Sequence, residues 1–217
     1  MEQIVLIRHG EAEANVRQVV GGRRGDTGLT ARGAMQAARL RDRLAKGEIR
    51  ADALFASCLP RAAATAEILA PALGLAVVLD DELEELRPGE ADGLSLQEAA
   101  LRFGLPDFEG APDRPVSPGG ESWAAFMARV GRALDRVVRD HAGQTVVLVT
   151  HGGFVDGAFV HFLGLGADRY LPATFATRHT SITRWERRPR WDGRVAWRLL
   201  GFNDDAHLRG IPTDERA

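Results

Sequence analysis

Ile4-Val5-Leu6-Ile7-Arg8-His9-Gly10-Glu11 reads as a short apolar strand that ends on a basic pair and a glycine. A second stretch repeats the pattern: Val146-Val147-Leu148-Val149-Thr150-His151-Gly152-Gly153. Each run is rich in β-branched residues, and each is followed by a helical stretch. In an open α/β sheet, ligands bind in the crevice outside the carboxyl ends of the strands. Two imidazoles delivered to that edge can face one small ligand, as nucleophile, base or anion partner.

Working outward, strands alternate with helices. Residues 3–7 form the first strand. Thr30 caps a helix over about 31–46, and Ala53–Ala56 make the second strand. A helix runs from Pro60 towards Leu73, with Pro60 in its first turn and Pro71 shortening it. A third strand is expected at 75–79. Ser95 and Glu98 have capping-box spacing for a short helix ending near Gly104. Residues 105–120, rich in Pro and Gly, read as loop. Trp123, Phe126, Val130, Leu134 and Val137 make an amphipathic stripe over about 121–141. Strand 145–149, a helix near 154–163 and two late strands near 180–186 and 194–200 complete the chain. This alternation predicts an α/β protein with three layers, a mainly parallel sheet and helices on both faces.

The 217 residues suit a single domain over 1–217. A net charge of -2 gives no strong pull toward nucleic acid or a membrane surface, so any basic site must be local. The single cysteine, Cys58, excludes an intrachain disulfide and makes a cytoplasmic location the expectation. The chain enters an apolar strand at once, so no secretion leader is expected. No apolar run reaches the roughly 20 residues that a membrane span needs.

Arg8 and His9 end one strand, His151 ends another, and Ser57 ends a third, with Arg61 in the first turn of the helix after it. If those strands are neighbours, two arginines and two histidines converge on one crevice. Guanidinium offers paired planar donors to phosphate oxygens, and a helix start adds backbone N–H groups. Gly21-Gly22-Arg23-Arg24-Gly25 lacks the Gly-Lys-Ser/Thr end of a nucleotide P-loop. It reads either as a plain turn or as a flexible basic wall for an anionic substrate.

The run Leu6–Asn15 resembles the signature of the histidine phosphatase superfamily, the phosphoglycerate mutase-like proteins. The resemblance continues through Gly28-Leu29-Thr30, Ser57–Ala62, Leu83-Glu84-Glu85 with Gly89 and Asp92-Gly93, Pro118–Ser122 and Val149–Gly153, in the family's order. It implies a phosphomonoester hydrolase in which His9 becomes a phosphohistidine. Arg8, Arg61 and His151 would hold the phosphoryl oxygens. Asn15, Gly21, Gly22 and Gly152 would line the substrate site. Glu85 would protonate the leaving alkoxide, a contribution of roughly 10²–10⁴-fold, and then activate water. Glu84 is the neighbouring alternative for that carboxyl; Leu83 and Gly89 set the register on Glu85. A carboxylic acid as proton donor implies an acid-leaning pH optimum. The chain departs from the family at Ala12, where Ser or Thr is usual, and around Arg87-Pro88 and Glu90-Ala91, where the pocket wall is expected. Residues 87–120 should form a lid-like insertion.

No cofactor is expected. Two histidines and a glutamate could ligate zinc, but the interleaved arginines oppose a dication, so no metal is expected either. The expected partner is a small phosphorylated metabolite of unspecified identity. A homodimer through the Trp191 hairpin or an exposed sheet edge is a further expectation. A cofactor-dependent phosphoglycerate mutase is the alternative within the family; only about 30 residues separate Glu85 from the Pro118 block, short of the mutases' longer insert. A non-catalytic phospho-ligand module is the alternative outside it. His179 and His207 receive no role from the sequence, and Cys58 reads as a small buried residue.

Overall fold

The computed structural model describes residues 2–166 and 175–210; the remainder of the expected 1–217 domain lies outside the described residues. Among these, the elements run β1 (Glu2–Arg8), α1 (Glu13–Arg17), α2 (Ala31–Leu44), β2 (Ala53–Ser57), α3 (Pro60–Leu73), β3 (Val77–Asp80), α4 (Leu96–Phe103), α5 (Trp123–Asp140), β4 (Thr145–Thr150), α6 (Gly152–Phe162), β5 (Ile182–Pro189) and β6 (Val195–Asp204). Short 3₁₀ turns cover Asp81–Leu83, Gly89–Ala91 and Ala206–Leu208.

The six strands form one sheet in the order β3-β2-β4-β1-β5-β6. β3, β2, β4 and β1 are parallel; β5 and β6 add an antiparallel edge. The mixed α/β architecture is therefore the expected one. The alternation along β1 explains the layers. Ile4 and Leu6 face a core shared with α5 and α6, whereas Val5 and Ile7 face one shared with α2 and α3. Both faces are covered, which is why β1 and β4 read as continuous apolar runs.

The topology sets the position of the site. From β1 the chain crosses to β2, on one side of the sheet; from β4 it crosses to β5, on the other. The crevice between the carboxyl ends of β1 and β4 is thus a switch point, and His9 and His151 lie at its two lips.

Several ends differ from the sequence expectation. α2 stops at Leu44, β3 starts at Val77, α6 starts at Gly152 and the late strands run on to Pro189 and Asp204. Pro71 does not shorten α3, which continues to Leu73. In the last turn its missing N–H removes a single intrahelical bond, and Gly74 in the left-handed region closes the helix behind it. The 87–120 segment is seated by its two glycine-bearing ends. Gly89, at φ +60, passes so close that an added Cβ would lie 2.3 Å from the Gly120 nitrogen. Glu121 N donates to Arg87 O and Ala91 N to Ser117 Oγ, which ties the two ends of the segment together.

Candidate active site

His9 is fixed by the sheet itself, since its N–H donates to Thr150 O at 2.9 Å. Its ring lies 5.1 Å from that of His151, centroid to centroid. His9 Nδ1 is 2.6 Å from Gly10 O. A carbonyl only accepts, so we assign the proton to Nδ1 and leave the lone pair on Nε2. Arg61, brought up by the first turn of α3, donates from Nε to that Nε2 at 3.0 Å. His151 Nε2 shares a hydrogen bond with Ser57 Oγ at 2.8 Å. Among the described residues its Nδ1 is buried without a partner, as is Arg8 Nε. Arg8 lies beside Gly152 and donates from Nη1 to Thr177 O. A bound oxyanion could accept from Arg8 Nε and, with the proton on its Nδ1, from His151.

The imidazoles are held neutral. Burial, then the charges of Arg61, His151 and Arg8, pushes His9 well below the usual histidine range. Burial and the same two arginines do so for His151. Sequence reasoning missed a third ring. The His179 ring lies 5.5 Å from that of His9, tilted by 45°, and its Nδ1 is 3.2 Å from the His9 carbonyl. Burial and Arg8 bring it down to about 3.

These depressions set a stability trend. An unfolded histidine titrates near 6.5, above each folded value, so the unfolded chain binds protons first as pH falls. The stabilisation is fully present above about pH 6.5. It is lost below that at a slope approaching roughly 1.4 kcal/mol per pH unit for each imidazole. Urea unfolding between pH 7.5 and 5 is expected to show this decline, and His179→Asn to flatten it. An unchanged slope in that variant would contradict the assignment.

The two adjacent glutamates are separated by the fold. Glu84 is buried and receives Arg23 Nε at 2.8 Å and Arg87 Nε at 3.0 Å. Glu85 turns the other way and accepts from Gly153 N at 2.9 Å. A Cβ at Gly153 would stand 2.4 Å from Glu85 Oε1, so the approach needs a glycine. Glu84 and Glu85 both line a cavity of about 360 Å³, with Leu59, Arg23 and Arg87. That cavity has room for the leaving group of a small ester.

Two charged residues without a local sequence signal hold this arrangement. Asp26, buried, accepts from Arg61 Nη1 at 2.8 Å and from Arg61 N at 3.2 Å, which aims the guanidinium at His9. Arg129 lies on the amphipathic α5 but is fully buried. It donates to the carbonyls of Glu82, Glu84 and Glu85 and to both oxygens of Glu121.

The remaining expected residues fall as follows. Asn15 is exposed at the start of α1, and its Oδ1 accepts from Ala12 N at 3.0 Å, so it can offer an anion only its amide N–H groups. Gly21 O receives Arg61 Nη1 at 2.7 Å. Gly22, Arg24 and Gly25 all donate backbone N–H groups to Asp92. The 21–25 loop is therefore pinned rather than a free basic wall, and Arg23 and Arg24 are ion-paired. Cys58 is half-exposed, not buried. Burial and the carboxylates of Glu84 and Asp81 push its thiol up, which disfavours the thiolate. Among the described residues, no group of three His, Cys, Asp or Glu side chains could hold a metal ion. No helix among them is long and apolar enough to cross a membrane.

Comparisons with known proteins agree with this geometry. The profile of the histidine phosphatase superfamily (branch 1) matches residues 4–204. A probable phosphoglycerate mutase GpmB of Proteus mirabilis is 34% identical over 222 residues, covering 99% of each chain. Phosphoserine phosphatase of Entamoeba histolytica, in complex with 3-phosphoglyceric acid, superposes with a TM-score of 0.77 at 26% identity over 96% of this chain and all (100%) of the other. A mycobacterial glucosyl-3-phosphoglycerate phosphatase with VO3 gives 0.74 at 27% identity over 94% and 99%.

Proposed function

The chain belongs to the histidine phosphatase superfamily (branch 1), and from that premise we propose that it hydrolyses a small phosphomonoester through a phosphohistidine on His9. The observation that carries the reading is the His9 Nε2 lone pair, buried beside Arg61 and facing a second neutral imidazole. Phosphoryl transfer asks the protein for positioning and charge stabilisation. In the first step Nε2 attacks phosphorus, and Arg61 Nε passes from Nε2 to a phosphoryl oxygen. Arg8 Nε and His151 take others. The ester P–O bond breaks as Glu85 gives its proton to the leaving oxygen. Water then attacks, Glu85 accepts its proton, the P–N bond breaks and His9 is restored. Splitting the displacement in this way replaces one hard step with two easier ones.

Phosphatase is preferred to mutase because a mutase must hold a second acidic group near the reacting phosphate. Arg23 and Arg87, the basic side chains beside Glu85, are already engaged with Glu84 and Asp81. The family's named relatives include phosphatases acting on phosphorylated small molecules, which makes a small phosphorylated metabolite the proposed substrate class.

The test is trapping. Brief exposure to a ³²P-labelled phosphomonoester, followed by an alkaline quench, should leave an acid-labile, alkali-stable label on His9. Absence of both label and turnover across a panel of phosphorylated metabolites would overturn the proposal. The proton donor has its own signature. Glu85→Gln is expected to lower kcat/KM on alkyl phosphates, which reports the chemistry up to loss of the leaving group, by roughly 10²–10⁴-fold. It should cost p-nitrophenyl phosphate far less, because that leaving group departs without a proton. Equal losses on both esters would remove Glu85 from the role of acid.

A further inference from the structure

The cavity beside Glu85 is walled by charge. Asp81, Glu84 and Asp92 line it together with Arg23 and Arg87. Glu84 organises that wall. Its side chain is 2% exposed, and each of its oxygens takes one guanidinium: Oε1 receives Arg23 Nε at 2.8 Å and Oε2 receives Arg87 Nε at 3.0 Å. The same two guanidiniums meet again at Asp81 Oδ2, with Arg23 Nη2 at 3.4 Å and Arg87 Nη2 at 3.3 Å. Arg87 Nη2 also donates to the Asp81 carbonyl at 2.9 Å. Asp92 has partners of its own. Its oxygens accept the backbone N–H groups of Gly22, Arg24 and Gly25, and Arg24 Nε lies 3.8 Å away.

The charge of this wall is closed on itself. The carboxylates of Asp81, Glu84 and Asp92 are matched by the guanidiniums of Arg23, Arg87 and Arg24. Glu85 adds no charge while it carries its proton and a negative one after giving it up. Arg23 and Arg87 are not free to turn to a ligand, because a buried carboxylate that loses its partner is strongly destabilising. A carboxylate or second phosphate arriving with the leaving group would be desolvated with no spare cation to meet it. Leu59, Leu86 and Pro88 supply apolar lining, which adds to that penalty. Hydroxyl groups fare differently. Among the described residues, Asp81 Oδ1 and the Nη1 groups of Arg23 and Arg87 have no hydrogen-bond partner. A hydroxyl can donate to the first and accept from the others.

We propose that this wall selects esters whose leaving alcohol is uncharged and hydroxyl-bearing, of sugar or polyol type, and rejects those that carry a carboxylate or second phosphate beside the ester. Asp81 is the residue that sets the discrimination: it neutralises the outer ends of both guanidiniums, which would otherwise attract an anion. The inference rests on the hydrolase reading and names the class of its leaving group.

The experiment uses sn-glycerol 3-phosphate and 3-phosphoglycerate, which differ only in a hydroxymethyl group against a carboxylate, with p-nitrophenyl phosphate as the reference ester. In the native chain at pH 7, kcat/KM is expected to favour glycerol 3-phosphate by at least roughly tenfold. Asp81→Asn should lower that ratio about three- to tenfold, and Arg87→Met, which removes a cation instead, should raise it by a similar factor. Opposite movements of a ratio cannot come from a common loss of structure. Native preference for 3-phosphoglycerate, or equal use of the two, while p-nitrophenyl phosphate is hydrolysed, overturns the inference and leaves the hydrolase reading in place. A ratio that neither substitution moves overturns it too. If none of the three esters is hydrolysed, the hydrolase reading fails, and calorimetric titration with the two three-carbon esters decides the pocket. Binding of glycerol 3-phosphate about tenfold tighter then supports the selection; equal or weaker binding overturns it.

Discussion

A His9→Ala chain is expected to lose turnover by roughly 10⁴–10⁶-fold, the scale seen when the nucleophile of a unit that acts together is removed. The loss is this large because no other group in the crevice can replace Nε2. His151 is engaged with Ser57 through its own Nε2, and His179 is turned to the His9 carbonyl. Cys58 is held as a thiol beside Glu84 and Asp81. Affinity for inorganic phosphate is a different matter. Arg8, Arg61 and His151 all survive the substitution, and Asp26 still aims Arg61. Calorimetric phosphate binding within about tenfold of native, with kcat abolished, is the expected pair of results; tenfold corresponds to about 1.4 kcal/mol. Turnover persisting near the native level would show that the covalent route is wrong. A joint loss of turnover and phosphate binding in a folded variant would show His9 to be part of the anion cradle rather than its nucleophile.

The second large effect is on stability. Arg129 is 2% exposed and reaches Glu121 with two donors, at 2.8 and 2.7 Å, besides three backbone carbonyls. Burial pushes the Glu121 carboxyl up, but Arg129 and the Arg87 N–H outweigh it and hold it below the usual range. Removing one partner of a buried pair strands the other, at a cost of about 3–5 kcal/mol. Arg129→Met is expected to lower the unfolding free energy by that amount in urea titrations. Arg129→Met with Glu121→Leu should recover much of it, because no buried charge is then left alone. The single variant should also lower kcat in the folded fraction, since Arg129 holds the carbonyls of Glu84 and Glu85 and so fixes which way the acid turns. A double variant no more stable than the single would mean that the carbonyl contacts, not the ion pair, dominate.

The helix ends legible in the sequence are those closed by their own neighbours. Thr30 accepts from Gly33 N at 2.9 Å, three residues on. Ser95 and Glu98 close the capping box reciprocally, and Pro60 occupies the first turn of α3. The misplaced limits, at Leu44, Val77 and Gly152, lie where a strand or helix continues until tertiary packing stops it. The Pro71 expectation failed for a related reason: a proline in the last turn has few intrahelical bonds left to break.

Local pattern by itself determined the alternating α/β plan, the two buried strands that carry His9 and His151, and the residue types suited to phosphoryl chemistry. Those features are periodicities and short motifs, each confined to a few adjacent residues. Tertiary structure alone decided that Gly153 N holds Glu85, that Asp26 grips Arg61 from 35 residues away, and that His179 meets His9 across 170. It likewise turned Arg129 of the amphipathic α5 inward. A hydrogen bond between distant segments leaves no trace in the spacing of either one, because its energy depends on where the sheet order places two strand ends and not on what stands beside them in the chain.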